Sequence, residues 1–140
     1  MPRCLGLAGL EGSGAATLLG ALFGTRKATQ GSITFPDGGG IPTSPTDAVN
    51  RGVCLVPADR RHQGLMLDRS ILRNLVSVSV GALRRGGTIT SDTEMIAIAS
   101  AQINDLGIKT GDASLPVASL SGGNQQKVVL GMAFCSLLGF

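Results

Sequence analysis

A chain of 140 residues is long enough for one domain with a real core. Hydrophobic residues make up 43% and mean hydropathy is positive, which excludes a disordered chain, while charged residues at 15% are few enough to suggest a surface partly covered by a partner. The formal charge of +3 comes with no Trp or Tyr and with basic pairs only at Arg60-Arg61 and Arg84-Arg85, so nucleic acid is not an expected partner; binding a small polyanion accounts for the balance equally well.

Cys4, Cys54 and Cys135 lie among apolar neighbours without a close second thiol, and His62 is the single histidine. This reads as free cysteines in a reducing cytosol, with no metal site. Arg3 followed by the apolar residues 4–10 has the outline of a leader, but Glu11 and a glycine-rich loop interrupt it. The longest apolar stretch, residues 128–140, is too short to span a bilayer. The expectation is a soluble protein able to attach to a membrane protein.

In chain order, Cys4-Leu5-Gly6-Leu7-Ala8 reads as a buried strand, residues 9–14 as a glycine-rich turn, and residues 15–23 as a helix stopped by Gly24. Residues 31–35 alternate as a strand does, and Pro36-Asp37-Gly38-Gly39-Gly40 is a loop. Ser44-Pro45 predicts an N-cap and first helical residue for a short helix to about Arg51. Residues 53–56 read as a second buried strand ended by Pro57, and residues 58–64 as a polar loop. Residues 71–80 are apolar and ambiguous, with helix favoured near Asn74, and residues 84–90 are another loop. Ser91-Asp92-Thr93-Glu94 is a capping box opening a helix with Met95, Ala99, Ile103 and Leu106 on one face, stopped at Gly107. After a loop over residues 109–118, Ser121 caps a last helix from Gly122. Strands alternating with helices predict an α/β domain, with no internal repeat and no second domain.

Gly9-Leu10-Glu11-Gly12-Ser13-Gly14-Ala15-Ala16-Thr17 sits between a predicted strand and a predicted helix, the context of a phosphate loop. Glycines let backbone N–H groups converge on an anion, and the helix start adds its dipole. Ala15 and Ala16 stand where such loops carry lysine and a hydroxyl. A hydrogen bond to a charged group contributes ~1.5–3 kcal/mol, so the missing lysine weakens phosphate binding roughly ten- to hundredfold. The missing hydroxyl removes a Mg²⁺ ligand, and Thr17 is turned away by about 100° per helical step. A plain strand–helix turn accounts for these glycines equally well. A dinucleotide-binding loop does not, since Thr17 occupies the place of its last Gly or Ala.

Leu120-Ser121-Gly122-Gly123-Asn124-Gln125-Gln126-Lys127 is the most specific stretch. A hydroxyl, two unhindered backbone N–H groups and a positive dipole end make a second anion-attracting point. An ordinary serine cap explains it less well, because two glycines in a first turn weaken a helix. This stretch is similar to the signature motif of ATP-binding-cassette (ABC) ATPases. Its continuation resembles the second cassette of bacterial monosaccharide importers of the ribose, galactose and xylose type, and nucleoside importers have a similar stretch. The resemblance runs through Leu22-Phe23-Gly24, Gly31-Ser32-Ile33, Ser44-Pro45, residues 52–56, Pro57-Ala58-Asp59-Arg60-Arg61 and Gly64-Leu65.

The resemblance implies a partial P-loop NTPase domain over residues 1–140, with phosphate loop 9–17, a Pro-x-Asp-Arg loop at 57–64, and a helical subdomain at roughly 65–136. In that family two cassettes pair head to tail, and the signature of one closes over ATP held by the other. Ser121, Gly122 and Gly123 would then contact the γ-phosphate of a partner's ATP, with Asn124 and Gln125 beside them. Gly9, Gly12, Ser13, Gly14, Ala15, Ala16 and Thr17 would face a second, poorly held ATP and Mg²⁺. Implied partners are another cassette and a membrane permease, which would hold the chain at the inner face of the membrane.

Ala58 departs from the family, which usually has an acidic residue or glutamine there. The strand ending in Asp-Glu, the switch histidine and the aromatic that packs on adenine are expected outside this sequence, making it a piece truncated at both ends and inactive alone. Residues 53–59 imitate a strand ending in a catalytic carboxylate, but Pro57 and the spacing to Asp59 spoil the geometry. A non-catalytic interaction module, or the remnant of a broken transporter gene, is the alternative function; a dinucleotide-dependent enzyme is a remote third.

Overall fold

The computed structural model describes residues 5–10, 12–78 and 91–138 and divides into two compact units, one up to Leu55 and one from Val56 onward. The predicted segments at residues 1–4 and 79–90 therefore lie outside the described residues.

In the first unit, helix α1 (Ala15–Leu22) opens at Gly14, whose φ of 92° only glycine adopts readily. It closes on a left-handed glycine: the Gly24 N–H donates to Ala21 O at 3.0 Å and the Thr25 N–H to Gly20 O at 2.9 Å. A side chain at Gly24 would lie 2.6 Å from the Ser44 carbonyl carbon, so the end of α1 meets the start of the next helix at bare backbone. That helix, α2 (Pro45–Asn50), follows the expected signal: the Ser44 hydroxyl accepts from the Asp47 N–H at 3.1 Å, with proline in the first position. Just past its end, Arg51 reaches back as a fork to Asp37, donating from Nε at 2.7 Å and from Nη2 at 2.9 Å. It also donates to Gly40 O at 2.8 Å and lies 4.6 Å from the centre of the Phe35 ring.

In the second unit, α3 (Arg60–Gln63) is a single turn inside the predicted 58–64 loop, formed because Asp59 accepts from the His62 N–H at 3.3 Å. Helix α4 (Ile71–Val76) is the centre of the core. Ile71, Leu75 and Asn74 are fully buried, and α4 packs on both α5 (Asp92–Asp105) and α6 (Gly122–Leu138). Ala99, Ile108, Val117 and Val128 complete the buried cluster, with Met95, Ile103 and Leu106 partly buried against it, which is the face predicted for α5. The predicted cap is present too, as the Ser91 hydroxyl accepts from the Glu94 N–H at 3.2 Å. Residues 113–118 run beside 67–72, tied by Ile71 N–H to Leu115 O at 3.0 Å and Val117 N–H to Arg69 O at 2.9 Å. Helix α6 crosses the core at Gly131, where a β-carbon would stand 2.8 Å from Leu75 Cδ2 and 2.7 Å from Gln102 Oε1. No described helix is long and apolar enough to cross a membrane.

The expected strands are a correction. Among the described residues there is no strand, only an isolated bridge between Ser70 and Pro116. A strand is stabilised by a neighbour's backbone ladder, and residues 5–8, 31–35 and 53–56 form none. Their backbone groups are instead used locally: Phe35 donates to Gly39 O and Val53 to Ala48 O, each at 2.9 Å. Leu5 is 87% exposed and so is not the buried strand residue expected.

Two outcomes follow. Asn74→Ala should lower stability by roughly 2–4 kcal/mol in chemical denaturation, since the buried amide serves Met66 N–H and the carbonyls of Met66, Arg69 and Ser70. The Arg51 fork and the Gly39 N–H hold the Asp37 carboxyl below its ordinary range. This favours the closed 35–40 turn at neutral pH and is lost as pH falls through the depressed value. An NMR titration of Asp37 should give a lower midpoint than in Arg51→Ala.

Candidate functional site

The loop ahead of α1 turns on two left-handed glycines and folds back on itself. Gly12 and Gly14 both have positive φ, and a β-carbon on either would meet open space. Ser13, however, folds back on Gly9: its N–H donates to Leu10 O at 2.9 Å, and its hydroxyl lies 2.5 Å from where a Gly9 side chain would begin. One donor of the loop is thereby used internally. Ala15, Ala16 and Thr17 form the first turn of α1, whose Gly14 cap supplies no side-chain hydrogen bond. Thr17 is exposed, and neither Ala15 nor Ala16 has a side-chain oxygen to offer a cation, so those two positions do not fit Mg²⁺.

The second unit holds the start of α6, a helix of 17 residues. Val117–Ser119 make one 3₁₀ turn, Leu120 is extended, and the Ser121 carbonyl accepts the first helical bond from Gln125 N–H at 2.9 Å. Ser121, Gly122 and Gly123 are exposed. The opening N–H groups of a helix have no intrahelical acceptor, so this end presents a partial positive charge to solvent.

The following residues turn inward and fasten that end. Gln125 is 5% exposed, and its amide donates to Leu120 O at 3.1 Å and to Val117 O at 3.4 Å. Asn124 accepts from the Lys109 N–H at 3.1 Å while its own amide donates to the Ser121 hydroxyl at 3.1 Å. Lys127 donates to Gly107 O at 2.7 Å, at the end of α5, where Gly107 takes a left-handed φ of 57°. Asn124 and Gln125, expected beside Ser121, Gly122 and Gly123, have their amides hydrogen-bonded to backbone and to Ser121.

Loop 57–64 lies along α6. A β-carbon at Gly64 would stand 3.2 Å from Val129 Cγ2, and one at Gly122 would stand 2.8 Å from Arg60 Nη2. A carbon at Gly123 would meet nothing within 4 Å. In sequence Arg60 is only the middle of Asp59-Arg60-Arg61, and nothing in that spacing announces contact with a residue some sixty positions away. The Asp59 carboxyl beside it is held below its usual range, chiefly by a 2.8 Å hydrogen bond with His62 Nδ1 and then by the His62 N–H. Among the described residues no cluster of His, Cys, Asp and Glu is disposed to hold a metal ion.

The ABC transporter family model matches residues 2–137, and the chain belongs to that family, whose ATPases have the P-loop NTPase fold. Among characterised relatives, it is 41% identical over 128 residues to the ribose import ATP-binding protein of Geobacillus kaustophilus (strain HTA426), covering 91% of this chain and 26% of that protein. The xylose import ATP-binding protein of Brucella abortus (strain 2308) is also 41% identical over 128 residues, covering 90% of this chain and 25% of the relative. The ribose import ATP-binding protein of Chromobacterium violaceum is 41% identical over 126 residues, again 25% of its length. The chain thus spans about a quarter of the length of the relatives it matches.

Gln125→Ala should cost about 1–3 kcal/mol, because it strips two carbonyls of a buried donor. Hydrogen exchange should report the change at residues 117–121 before the rest of the unit.

Proposed function

We propose that the chain is an ATP-binding component of a sugar import system, one that lends its signature helix to ATP held by a paired cassette and does not hydrolyse ATP alone. The observation that carries this is the asymmetry between its two anion-attracting points. Ser121-Gly122-Gly123 is intact and exposed at the head of a 17-residue helix. Loop 9–17 has no lysine and no hydroxyl at its working positions, and Ser13 partly closes it.

On this reading the Ser121 hydroxyl and the N–H groups of Gly122 and Gly123 approach the terminal phosphate of ATP bound by the other cassette. Their donors and the helix dipole stabilise negative charge there, and the missing side chain at Gly123 leaves room for the approach. Asn124 and Gln125 hold these donors in place. Gly12, Ser13 and Gly14 give at most weak backbone contact with a second ATP, and Mg²⁺ is supplied with oxygen ligands outside residues 15–17. The names of the relatives, ribose and xylose import ATP-binding proteins, support a sugar importer as the assembly. A permease then holds the chain at the inner membrane face.

The purified chain with ATP and Mg²⁺ should show weak binding and no turnover. Mixed with an ABC cassette that has an intact phosphate loop but a disabled signature, it should restore turnover, and Ser121→Ala should cut the restored rate by about tenfold. Turnover by the chain alone, or no restoration in the mixture, would overturn the proposal.

A further inference from the structure

Two glycines of the signature stand in different surroundings, and the difference assigns a role to a residue outside it. Neither Gly122 nor Gly123 has a positive φ, so backbone conformation does not demand glycine at either position. Alanine in a first helical turn is ordinarily favourable. At Gly123 a side chain would enter open space, and its absence makes room for something arriving from outside. At Gly122 the space is already taken: Arg60 Nη2 lies 2.8 Å, and its central guanidinium carbon 3.8 Å, from the place of a β-carbon. Arg60 makes no ion pair among the described residues, and its Nε is buried without a hydrogen-bond partner. A guanidinium without a carboxylate, set beside the positive end of a helix, is not there for a surface salt bridge. Its placement is steric, filling the groove that Gly122 leaves, while Gly64 seats the other end of the same loop against Val129. Residues 122 and 129 are about two helical turns apart, so loop 57–64 braces one face of α6 at both points.

We infer that Arg60 is a positioning residue for the signature: packed into the space left by Gly122, it fixes the direction in which Ser121, Gly122 and Gly123 present their donors. The inference rests on the proposed role of those donors. Arg60 Nη2 is the free end of a flexible side chain, so Gly122→Ala displaces the guanidinium without breaking the fold. Gly122→Ala and Arg60→Ala therefore produce the same defect.

The test uses the full chain mixed with the cassette described above, following ATP turnover and thermal unfolding. Arg60→Ala should lower kcat about three- to tenfold with KM for ATP little changed, because ATP docks first on the other cassette. Arg60→Lys should recover part of that loss, and melting should move little in each variant. Gly122→Ala should match Arg60→Ala, and the double variant should be no worse than either alone. Gly123→Ala, acting at the open side, should multiply with Arg60→Ala. Multiplicative losses for Arg60→Ala with Gly122→Ala, or an Arg60→Ala chain of unchanged kcat, would overturn the inference and leave the signature reading standing. A Gly123→Ala and Ser121→Ala pair without effect would instead remove the signature reading itself.

Discussion

Two side-chain amides buried in an apolar core organise the second unit. Asn74 and Gln125 are the buried polar residues among those described, and both spend their donors on backbone carbonyls of a segment that precedes their own helix. Asn74 folds residues 66–70 over the start of α4, and Gln125 folds residues 117–120 over the start of α6. A buried amide left unpaired costs more than a satisfied one contributes, so each works as a lock of low tolerance. The turn before α6 is held by the Gln125 amide, yet the residues at its tip, Ser121, Gly122 and Gly123, remain in solvent.

That division of labour explains the shape of the motif. A helix start that attracts an anion has to be bare, and bare backbone holds itself in place poorly. The residues just after it supply the hold. Asn124 reaches the loop at Lys109, Gln125 reaches Val117 and Leu120, and Lys127 reaches Gly107 at the end of α5. Arg60 approaches from the remaining side. The polar run after the glycines thus fastens the start of α6, and Ser121, Gly122 and Gly123 stay exposed.

The first unit follows another principle. It has short helices ended by left-handed glycines, and its tightest interactions are a backbone contact at Gly24 and the Arg51 fork on Asp37. Neither interaction builds a phosphate site. The glycines of loop 9–17 give it the conformational freedom of a phosphate cradle, but Ser13 uses that freedom to fold back on Gly9. On the proposed reading, Ala15 and Ala16 stand where a working phosphate loop would carry lysine and a hydroxyl.

Sequence alone determined whatever depends on local chemistry. The caps at Ser44 and Ser91, the stops at Gly24 and Gly107, the apolar face of α5 and the character of residues 120–127 all follow from side chains acting within a few positions of themselves. Residues 5–8, 31–35 and 53–56 form no strand among the described residues, because a strand is a property of a pair of segments and alternation along one does not supply the other. The tertiary structure decided which signature residues face outward. Asn124, Gln125 and Gly123 are neighbours in sequence, yet only the packing of α6 on residues 107–120 turns the first two to backbone and leaves the third open. Gly122 is the sharpest instance: its neighbour Arg60 is distant in the chain and is brought beside it by the fold alone.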